Sequence, residues 1–302
     1  MTSRHLLRLL PLAAALACAS SAPPPREFDG RRALDYARVQ LGFGPRVPGS
    51  AGHAATATWL DSTLRRRADT VLVQAWDHHA LDGKVLPMRN VLARFNPAAT
   101  KRVMLIAHWD TRPHADGTNS TDSTAPMPGA NDGASGVAVL IGIADVLKAQ
   151  APGVGVDLLF VDGEDYGDFW APGRPDVLVG ARYYADHPLV PLPTYAILLD
   201  MVGDRMLQFK QEGFSLSAAP QIVEQVWGAA ARLGHTGTFV GAGGEITDDH
   251  IEFIRVGVPT IDVIDLDYPW WHTKDDTLDK ISAESLQIVG DVMVLVVRTE
   301  KP

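Results

Sequence analysis

Six short, largely apolar runs, at 71–76, 90–95, 103–107, 156–161, 196–201 and 260–264, constrain the fold more than any other feature of this 302-residue chain. Runs of this length, too short for a core helix and rich in Val, Ile, Leu and Phe, read as strands, most of them buried on both faces. Helical patterns occupy 33–40 and 51–67 ahead of the first run, then 134–148 and 221–233 between later runs, and finally 283–297. The alternation predicts an α/β fold: a mixed, mostly parallel central sheet flanked by helices on both faces. Ligands of such sheets bind beyond the carboxyl ends of the strands.

Acids and one histidine stand at such places. Asp132 lies in G-A-N-D-G-A-S-G, Glu164 and Asp165 in V-D-G-E-D-Y, Asp200 in L-L-D-M-V-G and His272 in W-W-H-T-K-D-D. Taken singly, each has an ordinary reading. Asp132 precedes the buried helix face of Val137, Leu140, Ile141, Ala144 and Leu147, where a carboxylate balances the helix dipole. Glu164 and Asp165 could be a solvated loop, and His272 a packed neighbour of Trp270 and Trp271. Together they read differently, because acids converging on one sheet edge repel unless a cation holds them. Imidazole with carboxylates is a zinc donor set, whereas calcium and magnesium favour oxygen alone. Glu164 and Asp165 are adjacent, so on extended backbone they point opposite ways. One can bind metal while the other faces substrate, with a proton affinity raised by neighbouring acids and suited to acid/base work.

Composition narrows the rest. A formal charge of -9 argues against a nucleic-acid partner, which needs clustered Lys and Arg. Cys18 is the only cysteine, so an internal disulfide is impossible and the metal donors must be N and O. Residues 1–18, with Arg4, Arg8 and an apolar stretch at 9–17, read as an export leader, and Cys18 stands where bacterial lipoproteins carry their lipid. Periplasmic location or attachment to the envelope is the expectation, with a lipid anchor at Cys18 and no transmembrane span. The leader's apolar stretch is broken by Pro11 and shorter than the ~20 residues a spanning helix needs. A Pro-rich linker at 19–30 then leads into a single catalytic domain at 31–302. No phosphate-binding loop is present, and Ser135 lacks the glycine spacing of a nucleophile elbow. His78, His79, His114, His187 and His235 read as surface or capping residues.

The runs A-H-W-D, G-A-N-D-G-A-S-G, D-G-E-D, L-L-D-M-V-G and W-H-T-K-D-D, in this order, resemble the zinc-dependent peptidase family M28, and within it the glutaminyl cyclase branch, over about 108–278. The resemblance implies that Asp132, Asp165 and His272 bind one zinc and that Glu164 is the general acid/base. It implies that Asp200, with Asp248 of T-D-D-H, orients the substrate, and that Trp170 and Trp271, with nearby Tyr268, wall the pocket. The activity it implies is conversion of an N-terminal glutamine of peptides or proteins to pyroglutamate, with release of ammonia. The family also implies a rival, a two-zinc aminopeptidase in which His108 joins Asp132, Asp165, Asp200 and His272 as a second-metal ligand. Two positions depart from the cyclase pattern: Asp165 stands where glutamate is more usual, and Asp262 where animal cyclases carry a histidine.

Overall fold

A computed structural model describes residues 26–173 and 175–302, so the leader and most of the linker lie outside the described residues. The chain runs α1 (Gly30–Gly42), α2 (Ala51–Arg65), β1 (Thr70–His79), β2 (Val85–Phe95), β3 (Arg102–His108), α3 (Ala134–Ala149), β4 (Gly155–Val161) and α4 (Val179–Asp186). It continues through β5 (Tyr195–Asp200), β6 (Phe209–Gln211), α5 (Gly213–Ala218), α6 (Pro220–Arg232), β7 (Phe239–Ala242), α7 (His250–Arg255), β8 (Thr260–Ile264) and α8 (Ala283–Thr299).

All six apolar runs enter one sheet, in the order β1-β2-β4-β3-β5-β8. The pairs β4·β3, β3·β5 and β5·β8 are parallel, as expected, while β1·β2 and β2·β4 are antiparallel. The antiparallel end follows from a tight hairpin in which Ala80 N–H donates to Lys84 O at 2.9 Å and Gly83 takes φ +83°. A two-stranded parallel sheet of β6 and β7 stands apart.

Alternation along the buried strands sorts side chains between two cores. Val103, Leu105 and Ala107 of β3 meet the core built with α1, α2, α3, α6 and α8, while Met104 and Ile106 meet Tyr184 of α4 and Phe253 of α7. The segment read as linker ends inside the first core. Phe28 is buried against α3 and α8, where a Cβ on Gly142 or Gly290 would come within 2.5 and 2.3 Å of its ring, and Asp29 caps α1. At the opposite end of the strands from the acids, Asp157 accepts from Arg94 at 2.9 Å and from Arg102 at 2.6 Å. This paired, buried cluster ties β2, β3 and β4 together. Among the described residues no helix is long and apolar enough to cross a membrane.

Candidate active site

Parallel strands β3, β4 and β5 end side by side, so His108, Glu164, Asp165 and Asp200 emerge together although the sequence spreads them widely. Asp132 arrives from the turn into α3. Its backbone N–H and that of Asn131 donate to the two Asp276 oxygens at 3.2 and 2.9 Å, and Gly133 passes directly beneath the His108 ring. A Cβ at Gly133 would stand 2.4 Å from His108 Nε2, which is why glycine follows Asp132. His272 sits at φ +53° in the loop after β8, and its carbonyl accepts from Gly117 N–H at 2.8 Å.

The donors form two trios that share Asp132: Asp132, Asp165 and His272, and His108, Asp132 and Asp200, each set within 4.8 Å and buried. Asp132 turns Oδ1 to His108 Nε2 at 3.1 Å and Oδ2 to His272 Nε2 at 3.6 Å. His272 Nε2 lies 3.3 Å from Asp165 Oδ1, and His108 Nε2 lies 3.1 Å from Asp200 Oδ1. Glu164 is in neither trio; its Oε2 stands 3.8 Å from His108 Nδ1. Asp165 Oδ2 is buried without a hydrogen-bond partner, as a ligand oxygen awaiting a cation would be. The residues present therefore fit a zinc-type donor set of carboxylates and imidazole.

Charge behaves accordingly. Burial, then the Asp165 charge, raises the proton affinity of Asp132 and lifts that of Glu164 well above the carboxylate range. Burial and the Asp200 charge do the same to Asp248. Asp165 goes the other way: burial opposes ionisation, but the His272 and Arg112 charges outweigh it and keep the carboxylate ionised. His272 is lifted to about 9, its burial outweighed by Asp165, Asp116 and Asp132.

Three supporting residues were not singled out from sequence. Asp110 accepts from Glu164 N–H at 3.1 Å and Asp165 N–H at 3.2 Å, and its Oδ1 lies 3.5 Å from His108 Nδ1. Its signal was in plain view as the last letter of A-H-W-D. Arg112 donates to Asp165 Oδ1 at 2.8 Å and clamps Asp116 with its other nitrogens. Asp276 carries the Asp132 turn, and burial pushes its carboxyl up to about 7.

A cavity of about 510 Å³ opens over these groups, lined by Asp132, Glu164, Asp200, Asp248 and His272. Trp271 lines it too, stacked on His272 at 4.0 Å, while Trp170 stands at its mouth, 92% exposed. Tyr268 does not line the cavity, contrary to expectation. Its ring is buried with Met201 and Ile264, and its hydroxyl donates to Asp276 Oδ1 at 2.6 Å. Tyr268→Phe is therefore expected to act on stability: losing a buried hydrogen bond to an acid should cost about 1 to 3 kcal/mol in urea unfolding.

Residues 90–297 match the family model described as peptidase family M28. The chain belongs to peptidase family M28. The Bacteroides thetaiotaomicron glutaminyl cyclase solved with N-acetylhistamine is 39% identical, with TM-score 0.86 over 91% of this M28 chain and 99% of its own. A Zn-dependent exopeptidase from Parabacteroides distasonis is 40% identical, with TM-score 0.86 over 90% and 99% of the two chains. The glutaminyl-peptide cyclotransferase of Bos taurus is 28% identical over 83% of this chain and 78% of its own length. Membership and these relatives make the M28 chain an enzyme.

Proposed function

We propose that this M28 chain is a zinc-dependent glutaminyl cyclase, an acyltransferase that converts the N-terminal glutamine of peptides to pyroglutamate and releases ammonia. The observation that carries the reading is a buried carboxylate, Glu164, outside both ligand trios yet facing the same cavity as Asp200 and Asp248. Asp132, Asp165 and His272 would hold the ion. When bound, zinc supplies Lewis-acid polarisation of the side-chain amide.

The chain's own residues do the remainder. The attacking amine and the amide belong to one residue, so ring closure has the effective-molarity advantage of an intramolecular step. The cavity's task is to fold the glutamine side chain back on itself. Glu164 takes a proton from the α-amine and returns one to the departing ammonia, and the proton affinity that burial lifts above the ordinary carboxylate range favours its taking the proton. Asp200 and Asp248, which line the same cavity, hold the amide NH2, and burial with the Asp200 charge beside it raises the proton affinity of Asp248. Trp271, fixed by its stacking on His272, limits the space beside the reacting amide to a compact uncharged group. On the reading of residues 1–18, the enzyme works in the periplasm or on the envelope.

The second trio, His108 with Asp132 and Asp200, is the specific observation that favours a two-metal aminopeptidase instead. The test is to incubate zinc-loaded protein with a Gln-initiated peptide and an otherwise identical Leu-initiated one and weigh the products. Loss of ammonia from the first supports cyclisation. Shortening of the second overturns it in favour of hydrolysis.

A further inference from the structure

We propose that the peptide behind the reacting residue crosses Asp168 and lies in a second groove, with Leu81 and Val85 of the β1–β2 hairpin as its apolar contact. The proposal rests on the reading of the cavity as a site for peptide N-termini. A groove of about 880 Å³ runs beside the active-site cavity. Two pieces of chain divide them, and side chains sort between the sides. Arg112, Asp116, Phe169 and Trp170 line the cavity, whereas Pro113, His114 and Tyr166 line the groove. Asp168 lines both and is exposed. Arg112 Nη1 donates to Gly167 O at 3.0 Å across the divider, which holds the two pieces together and leaves the crest at Asp168 as the crossing point.

The chemistry of the groove suits a peptide. At the crest, Asp168 offers a carboxylate to a backbone N–H or a basic side chain of the crossing residue. Beyond it, Leu81 is 74% exposed and Val85 52% exposed, both on the groove wall. Single exposed apolar residues are ordinary, but these two sit on a braced hairpin against a concave surface that shares Asp168 with the site. Tyr166 OH donates to Asp82 at 2.9 Å, and Leu81 N–H donates to Asp176 at 2.9 Å, so the turn is fixed against the groove floor. Apolar side chains alternating along an extended peptide would bury Leu81 and Val85.

Two measurements on the full enzyme test this. First, kcat and KM are compared for glutaminyl-alanine amide and for an octapeptide beginning Gln-Ala-Leu-Val-Leu, in the wild type and in the double variant Leu81→Asp, Val85→Asp. The octapeptide KM is expected to lie about tenfold below that of the dipeptide, as burial of two apolar side chains allows, and to return to the dipeptide value in the variant. The dipeptide constants should not change, which also reports that the variant folds. Second, the octapeptide carrying benzophenone at its fifth residue is photo-crosslinked to the wild type and the adduct mapped. Adducts on residues 47–50, 81–82, 84–86, 113–114, 166–168, 171 or 175–176, which line the groove, support it; adducts confined to other residues overturn it, and equal KM values for both substrates overturn Leu81 and Val85 as the apolar contact. If the dipeptide releases no ammonia while the adducts map to the groove, the cyclase reading fails and the groove stands.

Discussion

Glu164→Gln is expected to lower turnover on a Gln-initiated peptide by about 2 to 4 orders of magnitude, the usual worth of a positioned acid/base. The amide keeps the size and hydrogen-bonding reach of the side chain but cannot exchange a proton. Nothing else in the site should move, because Asp110 fixes the backbone at Glu164 and Asp165 through their N–H groups, and the Asp132, Asp165 and His272 trio does not include Glu164. KM should stay within a few-fold of the wild type, so the loss falls on kcat. Stability should respond in the opposite sense. Burial and the Asp165 charge raise the folded-state proton affinity of Glu164, so the folded carboxyl keeps its proton to a higher pH than the unfolded one. As pH rises above the ordinary carboxylate range, the unfolded chain releases this proton while the folded state retains it, so stability falls, and a neutral glutamine avoids the loss. In metal-free protein at neutral pH the variant should thus melt at or above the wild type while being nearly inactive. Near-normal ammonia release would remove Glu164 from the mechanism.

The contrast between what the sequence exposed and what it hid has physical causes. Continuously buried strands such as Gly155–Val161 advertise themselves, since every position is apolar or paired and the run ends where the acids begin. The helices α4, α5 and α7, of 8, 6 and 6 residues, were not read, because a 3.6-residue period needs a window longer than two turns to show. Strands β6 and β7, of 3 and 4 residues, have too little pattern to separate from loop. In the site, the members of the two trios were legible because their charge is out of place at strand ends. The links of their supports were not: Asp110 and Asp276 close the runs A-H-W-D and W-H-T-K-D-D, but Asp276 acts on Asp132 across 144 residues of chain and Arg112 on Asp165 across 53, and neither link leaves a local signature. Tyr268 misled because an aromatic beside a candidate ligand histidine reads as pocket wall, and only the fold shows its hydroxyl turned inward to Asp276.

Asp132→Asn is expected to abolish tight zinc binding and to lower activity by on the order of 10³-fold, since the charge stabilisation a metal supplies is worth several kcal/mol. The shared position of Asp132 makes this the most damaging single change: one oxygen faces His108 and the other faces His272, so both trios lose their common carboxylate. His108→Phe, by contrast, removes a donor from only the trio with Asp200. Elemental analysis of the gel-filtered proteins then counts ions: if His108→Phe keeps the wild-type zinc content and Asp132→Asn loses it, the site holds one ion. Melting temperatures give an independent check. Burial and the Asp165 charge disfavour ionised Asp132 in the empty site, so asparagine should raise the melting temperature of metal-free protein. Zinc at about 1,000 times its Kd should stabilise the wild type by roughly 4 kcal/mol and the variant hardly at all. The variant is therefore expected to melt above chelated wild type and below zinc-loaded wild type. If chelated and loaded wild type melt together, no ion is bound by these carboxylates, and their convergence needs another explanation.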